Sequence, residues 1–563
     1  MSDGSLRMVR RRLYAALGGC VALAGCMVGP DYHAPPAPAT DTFTTTPLPE
    51  QTASAPGAAG LPQRFAPGED IPAAWWTLFH CEPLDALIRE GIANSPNMTA
   101  AQAALRQARE NFKAQVGGTL LPSVDAQLGA TREKINGIAF GEPGLVEEFN
   151  LYNASVSVSY KLDLFGGARR GLEALHAQVD YQQYQLQAAW LTISANLVTA
   201  AVKQASVRAQ IDATERIAVE EQEQLKVLDQ QFTLGGVSRA AVLAQQTLLA
   251  QTRATLPPLY QQLDQTRHQL AVLAGKLPGD PGVPEFTLDM FSLPATLPVS
   301  LPSSLVRQRP DILAADATLH QASAQIGVAT AAMYPQITLS ASYGAEALTP
   351  AQVLRAGSTI WSLGAGLLQP VFHGGQLSAQ KRAAEAAYEQ ADAQYRETVL
   401  LAFQNVADTL RALEHDATGL AAQTDASRAA GDALELTRGQ YRVGGVSYLA
   451  LLDAQRQYQQ TVVSLAQAQA ARYADTAALF QALGGGWWND AAPEAGTRAT
   501  PDSAASAPPA GAVSATTPPA IATATATTAT PAAVAANTAS PAVTRTTATA
   551  ATPAATRKTA TPP

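Results

Sequence analysis

Two stretches of this chain, residues 168–234 and 376–443, contain no proline and are rich in Ala, Gln, Leu and Glu. Such composition favours helix throughout, and at 1.5 Å per residue each stretch predicts a helix of about 100 Å. A helix of that length cannot bury itself in a small core and needs columns of similar height beside it. The chain supplies them in pieces. The return arms, 238–275 and 447–483, are near 57 Å each, and the helices expected over 84–118 and 303–333 add roughly 50 Å each. One long helix is thus matched by two short ones end to end. Pro257-Pro258 predicts a break in the first return arm, and the second has no such break.

The corner between long helix and return arm is written twice. It reads Gln231-Phe232-Thr233-Leu234-Gly235-Gly236-Val237-Ser238, then Gln440-Tyr441-Arg442-Val443-Gly444-Gly445-Val446-Ser447. A Gly-Gly pair followed by serine predicts a helix C-cap and an immediate new N-cap, the tip of an αα-hairpin. The second copy is shifted by 209 positions, from Gly235 to Gly444. Pro96 against Pro310, Pro122 against Pro335, and Phe165-Gly166-Gly167 against Phe372-His373-Gly374-Gly375 repeat at similar offsets, which implies a tandem duplication.

Ahead of each long helix the hydrophobic period changes to two. Val124, Ala126, Leu128 and Ala130 alternate with polar or small residues over 123–131. Over 154–164, Ala154, Val156, Val158, Tyr160, Leu162 and Leu164 face one way, and Ser155, Ser157, Ser159, Lys161 and Asp163 the other. A soluble half-buried hairpin and a membrane barrel hairpin look alike at this level. The second copy, Ile337, Leu339, Ala341, Tyr343 and then Trp361, Leu363, Ala365, Leu367, repeats the pattern and favours the barrel. Four strands leave unpaired edges that lipid does not tolerate. A homotrimer would give twelve strands and twelve helix columns, a ring about 38 Å across with a lumen of very roughly 25–30 Å. The expected fold class is therefore mainly α with a transmembrane β-barrel contribution, four barrel strands per chain closing as a trimer.

The ends of the chain read differently. Residues 1–25 carry Arg7, Arg10, Arg11 and Arg12 before an apolar run, a secretory signal that stops at Leu23-Ala24-Gly25-Cys26. That tetrapeptide resembles the bacterial lipobox, with Cys26 as the lipidated first residue. Met27 rather than aspartate after it favours outer-membrane sorting. Residues 26–72 read as an extended lipid-anchored tether, 73–280 as the first repeat, 281–300 as a linker, 301–488 as the second repeat, and 489–563 as an Ala/Thr/Pro-rich tail that cannot bury a core. Trp75-Trp76 marks where packing begins. Only Cys81 remains besides Cys20 and Cys26, so neither a disulfide framework nor a cysteine metal site is available. The formal charge of −8 disfavours nucleic acid as a partner. Seven scattered histidines without ligand spacing, and the absence of a catalytic motif, exclude the common enzyme classes and imply no cofactor beyond a lipid on Cys26.

Four motifs carry a resemblance: Cys26-Met27-Val28-Gly29-Pro30-Asp31-Tyr32, Leu162-Asp163-Leu164-Phe165-Gly166-Gly167, Arg309-Pro310-Asp311-Ile312 and Leu451-Leu452-Asp453-Ala454-Gln455-Arg456. With them, residues 26–488 resemble the outer membrane factors of tripartite efflux and secretion systems, TolC-like proteins, in the lipoprotein branch. The resemblance implies an outer-membrane duct that receives small molecules from an inner-membrane pump of the RND type through a periplasmic adaptor. A type I protein-secretion duct shares the architecture. A non-pore periplasmic scaffold lipoprotein is the rival of another class. It further implies adaptor contact at the hairpin tips, Gly235, Gly236, Val237, Gly444, Gly445 and Val446, where the plainer reading is that the glycines only turn the corner. A periplasmic gate is implied at Leu449 and Asp453, with Tyr441 as polar partner. Three Asp453 carboxylates around a three-fold axis would favour cations, whereas a solvated helix-face aspartate is the plainer reading. Ala241 and Val446 stand where TolC-type members carry gate-locking polar residues. Lys161 and Asp163 are expected in the barrel lumen, or else as a cross-strand ion pair.

Overall fold

The structure, a computed structural model, describes residues 27–136, 141 and 146–489. The signal segment, Cys26 and the tail from residue 490 lie outside the described residues. In chain order the elements are β1 (Arg64–Pro67), α1 (Glu82–Asn94), α2 (Pro96–Leu120), β2 (Ser123–Asn136), β3 (Val146–Leu162), α3 (Gly167–Thr233), α4 (Arg239–Ala254), α5 (Leu256–Leu273) and β4 (Thr296–Val299). The second half holds α6 (Pro302–Gln308), α7 (Pro310–Ala331), β5 (Gln336–Ala347), α8 (Pro350–Val353), β6 (Thr359–Leu368), α9 (Gln376–Arg442) and α10 (Tyr448–Ala482).

The two long helices, α3 and α9, have 67 residues each, and each starts from a left-handed glycine, Gly166 at φ 75° and Gly375 at φ 83°. The first return arm breaks at Thr255, ahead of Pro257-Pro258, whereas α10 runs unbroken for 35 residues. The single helix expected over 84–118 is instead two. Ser95 adopts φ −63°, ψ 125° between α1 and α2, because the ring of Pro96 pushes the preceding residue out of the helical region and supplies no amide hydrogen. Pro310 divides α6 from α7 in the same way, with Arg309 extended at φ −73°, ψ 125°.

Strands β2, β3, β5 and β6 form an antiparallel sheet in the order β2-β3-β5-β6. Its register sets Val124 opposite Val158, Val156 opposite Tyr343, and Tyr343 opposite Trp361, so one face is a continuous apolar surface. Ser155 pairs with Gly344 and Ser342 with Ser362 on the polar face. Leu128 and Leu363 are 85% and 80% exposed on the apolar face. No described helix is long and apolar enough to cross a membrane.

Two pieces of chain read as tether and linker pair with each other. β1 and β4 form a parallel two-stranded ladder, Arg64–Pro67 against Thr296–Val299. Ahead of it the N-terminal segment is extended but docked on the helices. Val28 N donates to Phe165 O at 3.1 Å, Phe43 lies 5.4 Å from Phe403, and Arg472, itself buried, donates to Thr52 Oγ1 and Gln63 Oε1. The main core gathers around Trp75, Trp76 and Phe79, against Leu197 and Val198 of α3 and Phe480 of α10. The tryptophan pair is thus a structural anchor: Trp76 Nε1 donates to Asp85 at 2.9 Å and Trp75 is fully buried.

Candidate functional site

Both hairpin tips are built alike. After α3, Gly235 takes φ 77° and its N–H donates to Phe232 O, while Gly236 N donates to Gln231 O at 2.7 Å. After α9, Gly444 takes φ 77° and donates to Tyr441 O, while Gly445 N donates to Gln440 O at 2.8 Å. This is a Schellman turn, which satisfies the last carbonyls of a helix and needs a residue at positive φ. Ser238 and Ser447 then cap the return helices by accepting from Ala241 N and Ala450 N. Two tips of one geometry follow from two copies of one octapeptide.

A groove of about 730 Å³ opens between the tips and gathers Gly236, Val237, Tyr441, Gly444 and Val446 beside Arg438. Arg438 of α9 donates to Glu220 of α3 at 2.6 Å and to Glu435 at 2.8 Å, tying the two long helices together just above the tips. On α10, Tyr448 donates to Gln245 Oε1 of α4, and Gln245 Nε2 donates to Glu221 O of α3 at 3.0 Å. The Tyr441 and Tyr448 rings lie 5.5 Å apart. Burial raises the phenol pKa of Tyr441, and burial together with Tyr441 and Glu221 raises that of Tyr448, so both stay neutral hydrogen-bonding groups.

Leu449 and Asp453 sit on the exposed side of α10. The Asp453 side chain is 77% exposed and lies 3.6 Å from Arg456 of the next turn. A pair so open to solvent is worth at most about 1 kcal/mol and leaves both groups available to neighbours.

The barrel-lumen pair is corrected in part. Lys161 lies in β3, opposite Thr338 and exposed. Asp163 lies past the end of β3 and caps α3, accepting from Ala168 N at 3.0 Å and Arg169 N at 2.9 Å, with Arg169 Nε at 3.3 Å. A carboxylate at a helix N-terminus meets free amide hydrogens and the positive end of the dipole, and here these outcompete a position on the strand face. Asp163 makes its ion pair with Arg169 of α3 and not across the strands.

A cluster that sequence reasoning missed fixes the Val28-Gly29-Pro30-Asp31-Tyr32 segment. Arg170 is 1% exposed and donates to Val28 O, Gly29 O, Asp31 Oδ1 at 2.7 Å and Glu173 Oε2 at 2.7 Å. His320 of α7 lies 3.0 Å from Glu173 and stacks on Tyr32 at 4.4 Å, while Tyr32 OH donates to Asp316. Arg170 stands three residues after the Gly-Gly corner, and the only signal was its charge with Glu173 one turn further on the same face.

Comparison with known proteins gives the class. The profile of the outer membrane efflux protein family matches residues 87–276 and 301–485, one block for each repeat. The chain belongs to that family. It is 31% identical to the pyoverdine export outer membrane protein OpmQ of Pseudomonas aeruginosa, over 74% of this chain and 88% of that one. It is 27% identical to a Salmonella typhimurium protein named "Probable outer membrane lipoprotein SilC", over 84% of this chain and 96% of that one. Among solved structures, the outer-membrane channel OprN superposes with a TM-score of 0.74 at 28% identity, covering 82% of this chain and 100% of that one. The protein is an outer-membrane efflux channel of TolC-like, mainly helical fold, which selects the duct over the non-pore scaffold.

Proposed function

We propose that three copies of this chain close a twelve-stranded barrel in the outer membrane, continued into the periplasm by a tube of α3–α5, α9, α10, α2 and α7. The observation that carries this reading is the open sheet. β2 and β6 are unpaired edges among the described residues, and each unsatisfied backbone group in lipid costs several kcal/mol. Apolar side chains left bare on the second hairpin, Leu400, Leu401 and Leu436 among them, support burial against another copy. Cys26 carries the lipid that holds the N-terminal segment at the membrane, and Lys161, on the strand face of Ser157 and Ser159, lines the barrel interior.

In this reading the tips, with Gly235, Gly236, Val237, Gly444, Gly445 and Val446, and the groove between them receive a periplasmic adaptor. The adaptor couples the duct to an inner-membrane pump of the RND type, and the cargo is small molecules. Leu449 and Asp453 form the periplasmic gate, with Tyr441 packed behind it. Three exposed carboxylates brought near one axis repel one another and attract cations. Single-channel recording of the trimer tests this: Asp453→Ala is expected to raise conductance and weaken cation selectivity. Conductance and selectivity unchanged by Asp453→Ala would remove Asp453 from the gate, and a stable monomer with no conductance would remove the duct.

A further inference from the structure

Glu221 occupies a place in the fold where a carboxylate is not expected. Thr214, Ala218, Glu221, Leu225 and Leu228 are buried on α3 at spacings of four and three residues, the seam of a coiled coil. They pack on Val242, Gln245, Leu249 and Thr252 of α4, also buried. Glu221 is 1% exposed, and neither of its carboxyl oxygens has a hydrogen-bond partner within normal limits. Thr252 Oγ1, alongside it, and Gln455 Oε1 of α10 are likewise buried without partners. Gln455 stands two turns beyond Tyr448, as Thr252 stands two turns beyond Gln245. The carboxyl therefore lies beside the bridge that joins the hairpins, Tyr448 to Gln245 to Glu221 O.

An ionised carboxylate in such a place costs several kcal/mol, since no cation pairs with it among the described residues and the Thr252 hydroxyl beside it replaces only part of the lost water. The groups that bear on it do not help. On its own helix Glu220 is committed to Arg438 of α9; α4 presents uncharged Gln245 and Thr252; α10 presents the neutral phenol of Tyr448, with the Tyr441 ring of α9 beside that phenol and also neutral. A protonated carboxyl, by contrast, is a donor beside the unpartnered Oγ1 of Thr252.

We propose that Glu221 is a proton-binding site that sets how tightly the first hairpin holds the second near the tips: it is protonated in the closed packing, and loss of that proton to bulk water loosens the junction. Burial raises its pKa above the usual carboxylate range, with the charge of Glu220 adding and Thr252 opposing. The sign follows from linkage. Below the ordinary carboxylate range both closed and opened forms hold the proton. As pH rises above it the opened form ionises first, so closure weakens until the closed form ionises too. This is a property of one folded protomer, and it holds or fails apart from adaptor docking or conductance.

Hydrogen exchange of the full-chain protein in detergent tests it, with rates divided by the chemical exchange rate at each pH. Across the window in which only the opened form ionises, the opening of segments 214–228, 242–252 and 448–455 is expected to rise by up to about tenfold per pH unit. Segments around Leu84 and Leu270 in the same protein should keep a flat profile in that window. Glu221→Gln, which keeps shape and hydrogen bonding but cannot ionise, should abolish the slope. Equal slopes in wild type and Glu221→Gln overturn the proposal. If the variant does not assemble, the wild-type comparison decides alone, and one common slope for both sets of segments overturns it.

Discussion

Replacing Gly327 with alanine separates two roles that meet at one point of the fold. Gly327 lies on α7, where α7 packs on α3, and the backbone of Gly29 lies against it. A Cβ at Gly327 would stand 2.7 Å from Cγ, 2.9 Å from Cδ and 3.0 Å from Nε of Arg170. A Cβ at Gly29 would stand 2.5 Å from the Gly327 Cα, so the N-terminal segment has no room to give. The Arg170 side chain must therefore move, and its bonds to Val28 O at 3.3 Å, Gly29 O at 3.4 Å and Asp31 at 2.7 Å go with it. Overpacking of this kind costs about 1–3 kcal/mol, offset by the roughly 1 kcal/mol that alanine gains over glycine inside a helix. The net effect on global stability is small, about 1 kcal/mol. Locally, two carbonyl bonds from a charged donor are lost, together worth about 2–3 kcal/mol after discounting for an Asp31 that is largely exposed. That corresponds to an opening equilibrium for residues 28–32 raised about 30- to 150-fold, since each 1.4 kcal/mol is a factor of ten. Limited proteolysis in this segment, under conditions where cleavage is slow relative to reclosing, reads that equilibrium directly. Arg170→Lys, which loses the planar fork without adding bulk, should release the same segment. A Gly327→Ala protein with a lowered melting temperature and unchanged N-terminal cleavage would refute the reasoning, because the clash would then have been absorbed by helix spacing and not by Arg170.

Two further expectations concern titration and the tips. Burial, and then the neighbouring carboxyl of Asp416 on α9, push Asp475 of α10 well above the usual carboxylate range. The unfolded chain then ionises first as pH rises, so Asp475 costs stability with rising pH, and Asp475→Asn should gain on wild type in thermal denaturation from acid to alkaline pH. Parallel curves would exclude it. At the second tip, Gly444→Ala meets open space but a φ of 77°, and should destabilise the tip by about 1–2 kcal/mol. Gly445→Ala, at ordinary φ and 3.4 Å from Gln440 O, should cost less in hydrogen-exchange protection of residues 436–452, and the reverse order would show that space and not φ governs the turn.

The local features of this chain were legible because they are local. Proline-free runs, a Gly-Gly-Val-Ser corner written twice and a period of two after Pro122 and Pro335 each act through backbone torsions and near neighbours, so α3, α9, both tips and the four strands appear close to where their residues predict. Arg309-Pro310-Asp311 reads as a helix start with proline near N1, and the helix does begin at Pro310; the break at Ser95 was marked by a proline of the same repeat, yet the helical periodicity on either side hid its effect.

By itself the amino-acid order determined the repeat, the long helices, the turns and the alternation of the sheet, since torsional preference and hydrophobic period need only a few consecutive residues. Tertiary structure alone decided the parallel pairing of 64–67 with 296–299, the docking of residues 27–72, the role of Asp163 as a cap, and the burial of Arg170 and Glu221. Each of these depends on which distant surface arrives opposite a side chain, and the free energy of a charge is set by that surface and not by its neighbours along the chain.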